Sequence, residues 1–310
     1  MEPLLLLQVI RTAAAAAPWC YPPQFTDSFQ CNKPSDWKKV STDCTGSKQS
    51  PIDIDINSVT YDKALTPFQF QDYDTPTSWT LVNDGHSAKM NLDANVLITQ
   101  GKLPGSYKAV QLHLHWGNST ENGAEHTING KRSPMELHIV HMNTKYASQD
   151  EAVKNWDGLA VLGFLYREDG SDNQKYQPFL DALKQIPDKG NQTTVGKLSL
   201  SSIIPEQSKL SRYYRYEGSL TTPNCNEAVI WTLFEETIPL SKEQLATFYN
   251  SLYFPSSGNK DKISMALNYR PIQTLGRRTV YTSNAEAVLP LGRALLTSSI
   301  IVLFMIFVPY

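Results

Sequence analysis

Six stretches of this chain alternate or run in β-branched and aromatic residues: Trp79-Thr-Leu-Val, Val96-Leu-Ile-Thr, Val110 to Trp116, Met135 to Met142, Leu159 to Tyr166 and Val229 to Phe234. Side chains of this kind fit a pleated, half-buried surface, and turn residues at Asn83-Asp-Gly, Leu103-Pro-Gly and Asn129-Gly punctuate them. Only Tyr176 to Gln185 and Ser241 to Leu252 read as helices, the second with Ser241 as N-cap and Gln244 three residues later. No internal repeat, low-complexity linker or charge block divides the 310 residues. The expected fold is therefore mainly β (α+β): one domain on a large, mostly antiparallel twisted sheet with short peripheral helices.

Composition adds limits rather than identity. A hydrophobic content of 41% can fill one large core, and a net charge of −2 gives no reason to expect a nucleic-acid partner. The ends carry more information. Residues 1–17 hold an apolar stretch, Leu4 to Ile10, and then alanines suited to signal-peptidase cleavage after Ala16 or Ala17, although Arg11 interrupts the apolar part. Ala294 to Tyr310 is uncharged, close to the lower length for a spanning helix, and no Lys or Arg follows it. A polar spacer, Glu286 to Arg293, and the small residues Ser283, Asn284 and Ala285 precede it. That order fits a glycosylphosphatidylinositol signal, with Ser283 or Asn284 as attachment residue; a retained transmembrane helix is the rival. The expected organisation is a signal peptide over 1–17, a single domain over 18–283 and a removed anchor signal over 284–310.

Four cysteines, Cys20, Cys31, Cys44 and Cys225, suit an exported chain with two disulfides, and counting alone leaves three pairings open. No C-x-x-C pair suggests a cysteine metal site. Asn118-Ser-Thr and Asn191-Gln-Thr are candidate glycosylation acceptors.

The six histidines are His86, His113, His115, His126, His138 and His141. In Gln111-Leu-His-Leu-His-Trp116, residues two apart on a strand share a face, so His113 and His115 stand side by side. In Met135-Glu-Leu-His-Ile-Val-His141, Glu136, His138 and Val140 share one face and His141 takes the other. Pairing the two strands would bring three imidazoles to one point. Three neutral imidazoles fill three corners of a tetrahedron around zinc and leave the fourth for water, the arrangement of a catalytic site. Gln111 and Glu136, each two residues from a ligand on its own face, can take the second ring N–H of His113 and His138. His126 and His141 read as buried structural residues.

These segments resemble the signatures of the α-class carbonic anhydrases. The resemblance is carried by Gln111 to Trp116, Glu125-His126, Glu136 to His141 and Ser219-Leu-Thr-Thr-Pro223. It continues in Gln49-Ser-Pro-Ile-Asp53, Asn83-Asp-Gly-His86, Trp231 and Asn268-Tyr-Arg-Pro271, in family order from about Trp19 to Val280. Trp19-Cys-Tyr21, Cys31, Cys44 and Thr-Thr-Pro-Asn-Cys225 are similar to the membrane-anchored, glycolipid-linked branch of that family.

The resemblance implies the family fold, a Zn2+ cofactor on His113, His115 and His138, and reversible CO2 hydration through attack of zinc-bound hydroxide at the extracellular membrane surface. Carbonic anhydrase is itself the case for which a three-histidine zinc is known to lower the pKa of bound water to about 7. Thr221 would accept a hydrogen bond from the hydroxide and pass its own proton toward Glu125, and its backbone N–H would meet one substrate oxygen. Val140, Val161, Leu220, Thr221, Thr222 and Trp231 would contact substrate, and Asn268 would join Gln111 and Glu136 behind the ligands. His86 matches the proton-shuttle position, where an imidazole titrating near neutrality is suited. Tyr21 and Thr222 would help to order the water chain, and Asp84 and Lys89 replace amides common in relatives. The implied disulfides are Cys20–Cys31 and Cys44–Cys225. Implied partners are CO2 and bicarbonate, the membrane through the glycolipid, and bicarbonate transporters. Two other readings are a silent carbonic-anhydrase-like binding domain, which typically lacks a zinc histidine, and a zinc esterase.

Overall fold

The computed structural model of the chain describes residues 18–26, 30–255 and 262–288. The expected signal peptide over 1–17 and the apolar stretch from Ala294 lie outside the described residues. A twelve-stranded sheet forms the body. Its strands are β1 (Thr60–Tyr61), β2 (Phe68–Gln71), β3 (Thr77–Asn83), β4 (Ala88–Asn91), β5 (Leu97–Gln100) and β6 (Tyr107–Trp116). They continue as β7 (Met135–Asn143), β8 (Leu159–Asp169), β9 (Gln192–Leu198), β10 (Tyr213–Gly218), β11 (Val229–Ser241) and β12 (Tyr281–Thr282). The spatial order is β9-β3-β4-β6-β7-β8-β11-β10-β12-β1, and β5 pairs with β2 and β6 beside this path.

The sheet is mostly antiparallel, as expected, but β8 runs parallel to β11 and β12 parallel to β1. Every stretch read as a strand is one, and β6, β8 and β11 extend further than the apolar runs. Three substantial strands gave weaker signals. β4 has only four residues, β9 is a largely exposed edge strand, and β10 carries a charge, Arg215, in its middle. Helices are few: α1 (Gln177–Leu183), preceded by a 3-10 turn, and α2 (Lys242–Ser251) are the two longest α-helices among the described residues. Ser241 caps α2 as its sequence indicates: its Oγ accepts from the Gln244 N–H at 3.2 Å, and Gln244 Oε1 accepts from the Ser241 N–H at 3.3 Å.

Alternation sorts the central strands onto two faces. Leu112, Leu114, Leu137, Ile139 and Leu162 join a large core on one side. Val140, Val161, Trp231 and Leu233 form a second cluster on the other. His141 lies on the first side, as expected. Its Nε2 is 2.7 Å from Tyr73 Oη, its Nδ1–H donates to the Ala160 carbonyl, and burial lowers its pKa to about 4.

Two disulfides close the structure, Cys20–Cys31 and Cys44–Cys225, the pairing that the family resemblance implied. Their loops differ greatly, with sequence separations of 11 and 181. Loop-closure entropy assigns about 5 kcal/mol to the long bridge and about 3 kcal/mol to the short one, both upper figures. Cys44→Ser/Cys225→Ser is therefore expected to lower the urea unfolding midpoint more than Cys20→Ser/Cys31→Ser. The reverse order in equilibrium unfolding at pH 7 would refute this entropic account.

Candidate metal centre

β6 and β7 pair so that His138 lies opposite His113 and Glu136 opposite His115. A register shift between Val140 and His141 comes after these pairs and leaves them regular. Three ring nitrogens converge there. His138 Nδ1 is 3.2 Å from His115 Nε2 and 3.3 Å from His113 Nε2. Nitrogens at tetrahedral corners around zinc, each about 2.0–2.1 Å from it, are separated by about 3.3–3.4 Å. The spacing therefore fits one small cation held by three imidazoles.

The outward ring nitrogens are all engaged, which fixes the tautomers. His113 Nδ1–H donates to Gln111 Oε1 at 2.9 Å, and His138 Nε2–H to Glu136 Oε1 at 2.7 Å. His115 Nδ1–H donates to the backbone carbonyl of Asn268 at 2.7 Å. Each imidazole thus turns a lone pair inward. Burial lowers the pKa of His113 well below the ordinary histidine value, with help from His115, His138 and Lys89. Burial also lowers that of His115. Neutral rings are the form a cation requires.

Glu136 is fully buried and serves more than one partner. Its Oε1 also accepts from His126 Nδ1–H at 2.7 Å, and its Oε2 accepts the backbone N–H groups of Glu125 and His126 at 2.8 Å each. Burial works against this carboxylate, but the adjacent His126 and His138 and their hydrogen bonds hold its pKa well below the usual range. His126 is a buried structural residue, as its sequence suggested, and joins a polar chain: its Nε2 is 2.6 Å from Tyr216 Oη, which is 2.9 Å from Ser50 Oγ. Gly163, opposite His138, leaves space here, since a Cβ would lie 2.8 Å from Leu233 Cδ1 and 3.3 Å from Glu136 Oε1. Neither Tyr216 nor Gly163 stood out in the sequence.

Asn268 does more than its position suggested. Its Oδ1 accepts from the Trp116 N–H, and its Nδ2 donates to the carbonyls of His86 and Leu114. Glu125 Oε1 accepts from the Arg270 N–H at 2.7 Å, while Oε2, 3.5 Å from His115 Nε2, is buried without a hydrogen-bond partner. The structure therefore does not close a hydrogen bond from Thr221 to Oε2. Thr221 itself is buried, in a loop fixed by Cys44–Cys225, by Ser219–Ser50 contacts and by the Trp231 indole N–H on the Ser219 carbonyl.

Val140, Val161 and Trp231 occupy one row across three strands, and Leu220 packs against them half-buried. Trp231 lies edge-on to His138 with ring centroids 4.7 Å apart. Thr222 is half-buried two residues before a turn at Asn224. An apolar wall thus meets the imidazoles on one side of the cleft.

His86 stacks on Trp19 with centroids 3.8 Å apart and meets Tyr21 edge-on. Asp84 Oδ1 accepts from the His86 N–H, and Lys89 sits opposite His113 in the ladder. Burial outweighs the pull of Asp84 and, with repulsion from Lys189, lowers the His86 pKa to about 4. The ring in this stacked position is therefore uncharged near pH 7, and its pKa lies further below 7 than that of a free imidazole. A depressed folded-state value means that this residue favours the fold above about pH 6.5, and that the contribution is lost as pH falls toward 4. NMR titration of the His86 ring should give a midpoint near 4 that rises toward 6.5 in Trp19→Ala. A wild-type midpoint already near 6.5 would show that the stack does not govern the ring.

The eukaryotic-type carbonic anhydrase family model matches residues 32–284. Carbonic anhydrase 4 of Rattus norvegicus is 40% identical over 286 residues, covering 91% of this chain and 90% of the relative. Carbonic anhydrase 15 of Mus musculus is 37% identical over 292 residues, covering 92% and 89%. Carbonic anhydrase 12 of Homo sapiens is 40% identical over 254 residues, covering 81% and 70%.

Proposed function

This chain belongs to the eukaryotic-type carbonic anhydrases, and from that membership we propose that it hydrates CO2 reversibly to bicarbonate and a proton at the extracellular membrane surface. The observation that carries the reading is the convergence of three imidazoles, 3.2 and 3.3 Å apart through His138, each with its outer ring nitrogen engaged. Zinc is the metal of this family, and His113, His115 and His138 fit it. Bound there, it supplies a Lewis acid that brings the pKa of a water ligand near neutrality.

The chain's own residues would do the rest. Val140, Val161, Leu220 and Trp231 keep one side of the cleft dry for a small apolar gas. The Thr221 hydroxyl would accept a hydrogen bond from the attacking oxygen and, on closing the gap to Glu125 Oε2, donate its own hydrogen there, so that a lone pair points at the CO2 carbon. Glu125 Oε2 supports this role, being a buried acceptor without another partner. The Thr221 N–H holds a substrate oxygen, with Thr222 beside it. His86 takes the product proton outward; from its stacked position it would exchange protons with the water chain near Tyr21 before meeting buffer.

Stopped-flow CO2 hydration tests the reading. His138→Ala is expected to lose stoichiometric zinc and nearly all activity, and chelation should do the same to wild type. Glu125→Gln, which can still receive the Arg270 N–H, should retain zinc while kcat falls by about 100-fold, the range for a misdirected proton network. A folded, zinc-loaded wild type without hydration would favour the silent binding-domain reading.

We also propose removal of a signal peptide at 1–17, a mature domain over 18–283 and a cleaved anchor signal over 284–310. No helix among the described residues is long and apolar enough to cross a membrane. Ser283 and Asn284 follow β12, and Ser283 still bonds β10, its Oγ accepting from the Tyr213 N–H at 2.9 Å. A lipid there would hold the domain close to the bilayer, with Asn118 and Asn191 carrying glycan and bicarbonate transporters as neighbours. Phosphatidylinositol-specific phospholipase C should release the protein from intact cells; complete retention would indicate a transmembrane tail.

A further inference from the structure

A cavity of about 480 Å3 opens against Arg215 of β10 and Ile230 of β11, and none of the three metal-site imidazoles lines it. Tyr216 pairs with Trp231 on the face that carries His138, so Arg215, which pairs with Thr232, faces the other side of the sheet. Tyr216 also borders the cavity, but the cavity opens on the Arg215 side and away from the three imidazoles.

Arg215 is only 7% exposed, and it makes no ion pair among the described residues. Its Nε and Nη2 donate to Thr232 Oγ1 at 3.2 and 3.0 Å, and Nη1 donates to the Gly101 carbonyl at 2.9 Å. These acceptors are uncharged, and a guanidinium has five N–H donors. Its flat faces lie against the Phe68 and Tyr213 rings, and the carboxylate that acts on it, Asp62, gives its ion pair to Lys102. The remaining guanidinium donors suit an oxyanion.

The surroundings increase the positive charge. Lys48, Lys102, Arg277 and Arg278 also line the cavity, and its carboxylates are Asp62 and Glu217, giving five cations against two anions. Lys102 and Lys48 pair with those carboxylates at 2.5 and 2.7 Å. Arg278 gives its side-chain hydrogen bonds to backbone carbonyls and so contributes field alone. Arg277 is exposed. Among the described residues there are four exposed large hydrophobic side chains, and two of them, Trp156 and Tyr281, line this cavity.

We propose that this cavity binds a small organic oxyanion, a phosphate or sulfate monoester whose charged head meets Arg215 and Arg277 and whose ring lies over Trp156 and Tyr281. Its size lies within the range of small-molecule sites, about 300–1,000 Å3.

The test is calorimetric titration of the zinc-loaded enzyme with phenyl phosphate at low salt, with CO2 hydration followed in parallel. Saturable binding is expected, weakened about fivefold to tenfold in both Arg277→Glu and Trp156→Ala. Neither residue touches the metal centre, so hydration by both variants should match wild type. Inorganic phosphate should bind more weakly than phenyl phosphate. Affinity unchanged in both variants would overturn the proposal. So would binding that tracks inhibition of hydration and survives the substitutions, since the anion would then be at the metal. Equal affinity for inorganic phosphate would remove the aromatic half of the site and overturn the ligand class.

Discussion

Four N–H groups point at one buried carboxylate, that of Glu136. A charge so deep in the protein persists only if its lone pairs are filled, and here both oxygens are satisfied by groups from other parts of the chain. One bond sets the proton of His138 on the outer nitrogen and so releases the inner lone pair. Two more tie down the backbone at Glu125 and His126, which presents the Glu125 side chain beside the cleft. The fourth engages the His126 ring, whose far side meets Tyr216 and, through it, Ser50. Ser50 in turn accepts from the Ser219 N–H at the base of the loop bearing Thr221. Ligand, carboxylate and loop are parts of one polar network, so a change in any of them reaches the others.

The requirement for space behind this network explains Gly163. β8 runs beside β7 with Gly163 opposite His138, and any side chain at this position would press on Leu233 and crowd the Glu136 carboxylate. The apolar row of Val140, Val161 and Trp231 is set by the same pairing of strands. One register therefore places both the polar and the dry halves of the cleft.

Much of this was legible in the sequence, for identifiable reasons. His113, His115, His138 and Glu136 obey strand alternation, a local rule, and their facing could be read directly. The helix cap at Ser241 and Gln244 is equally local. The partner of His115 was harder to assign because it is a backbone carbonyl at Asn268, distant in sequence and independent of side-chain identity. β10 was obscured because Arg215 breaks an apolar run yet is buried. The parallel pairing of β8 and β11 joins segments about 70 residues apart, a relation that neither strand announces alone. His86 is the clearest case of context overriding type. Its residue identity suggests titration near neutrality, and burial beside Trp19, with repulsion from Lys189, moves it well below.

The Cys44–Cys225 bridge has one further consequence. It makes the polypeptide between these residues a covalent ring that contains His113, His115, His138, Glu125 and Thr221. A single proteolytic nick anywhere inside that ring opens it without dividing the molecule. The three histidines and the Thr221 loop then remain on one covalent body, and any repair of the site after local unfolding is unimolecular, independent of protein concentration. In the extracellular setting proposed above, where proteases are abundant, the bridge would convert a break in the chain from a loss of parts into a local defect.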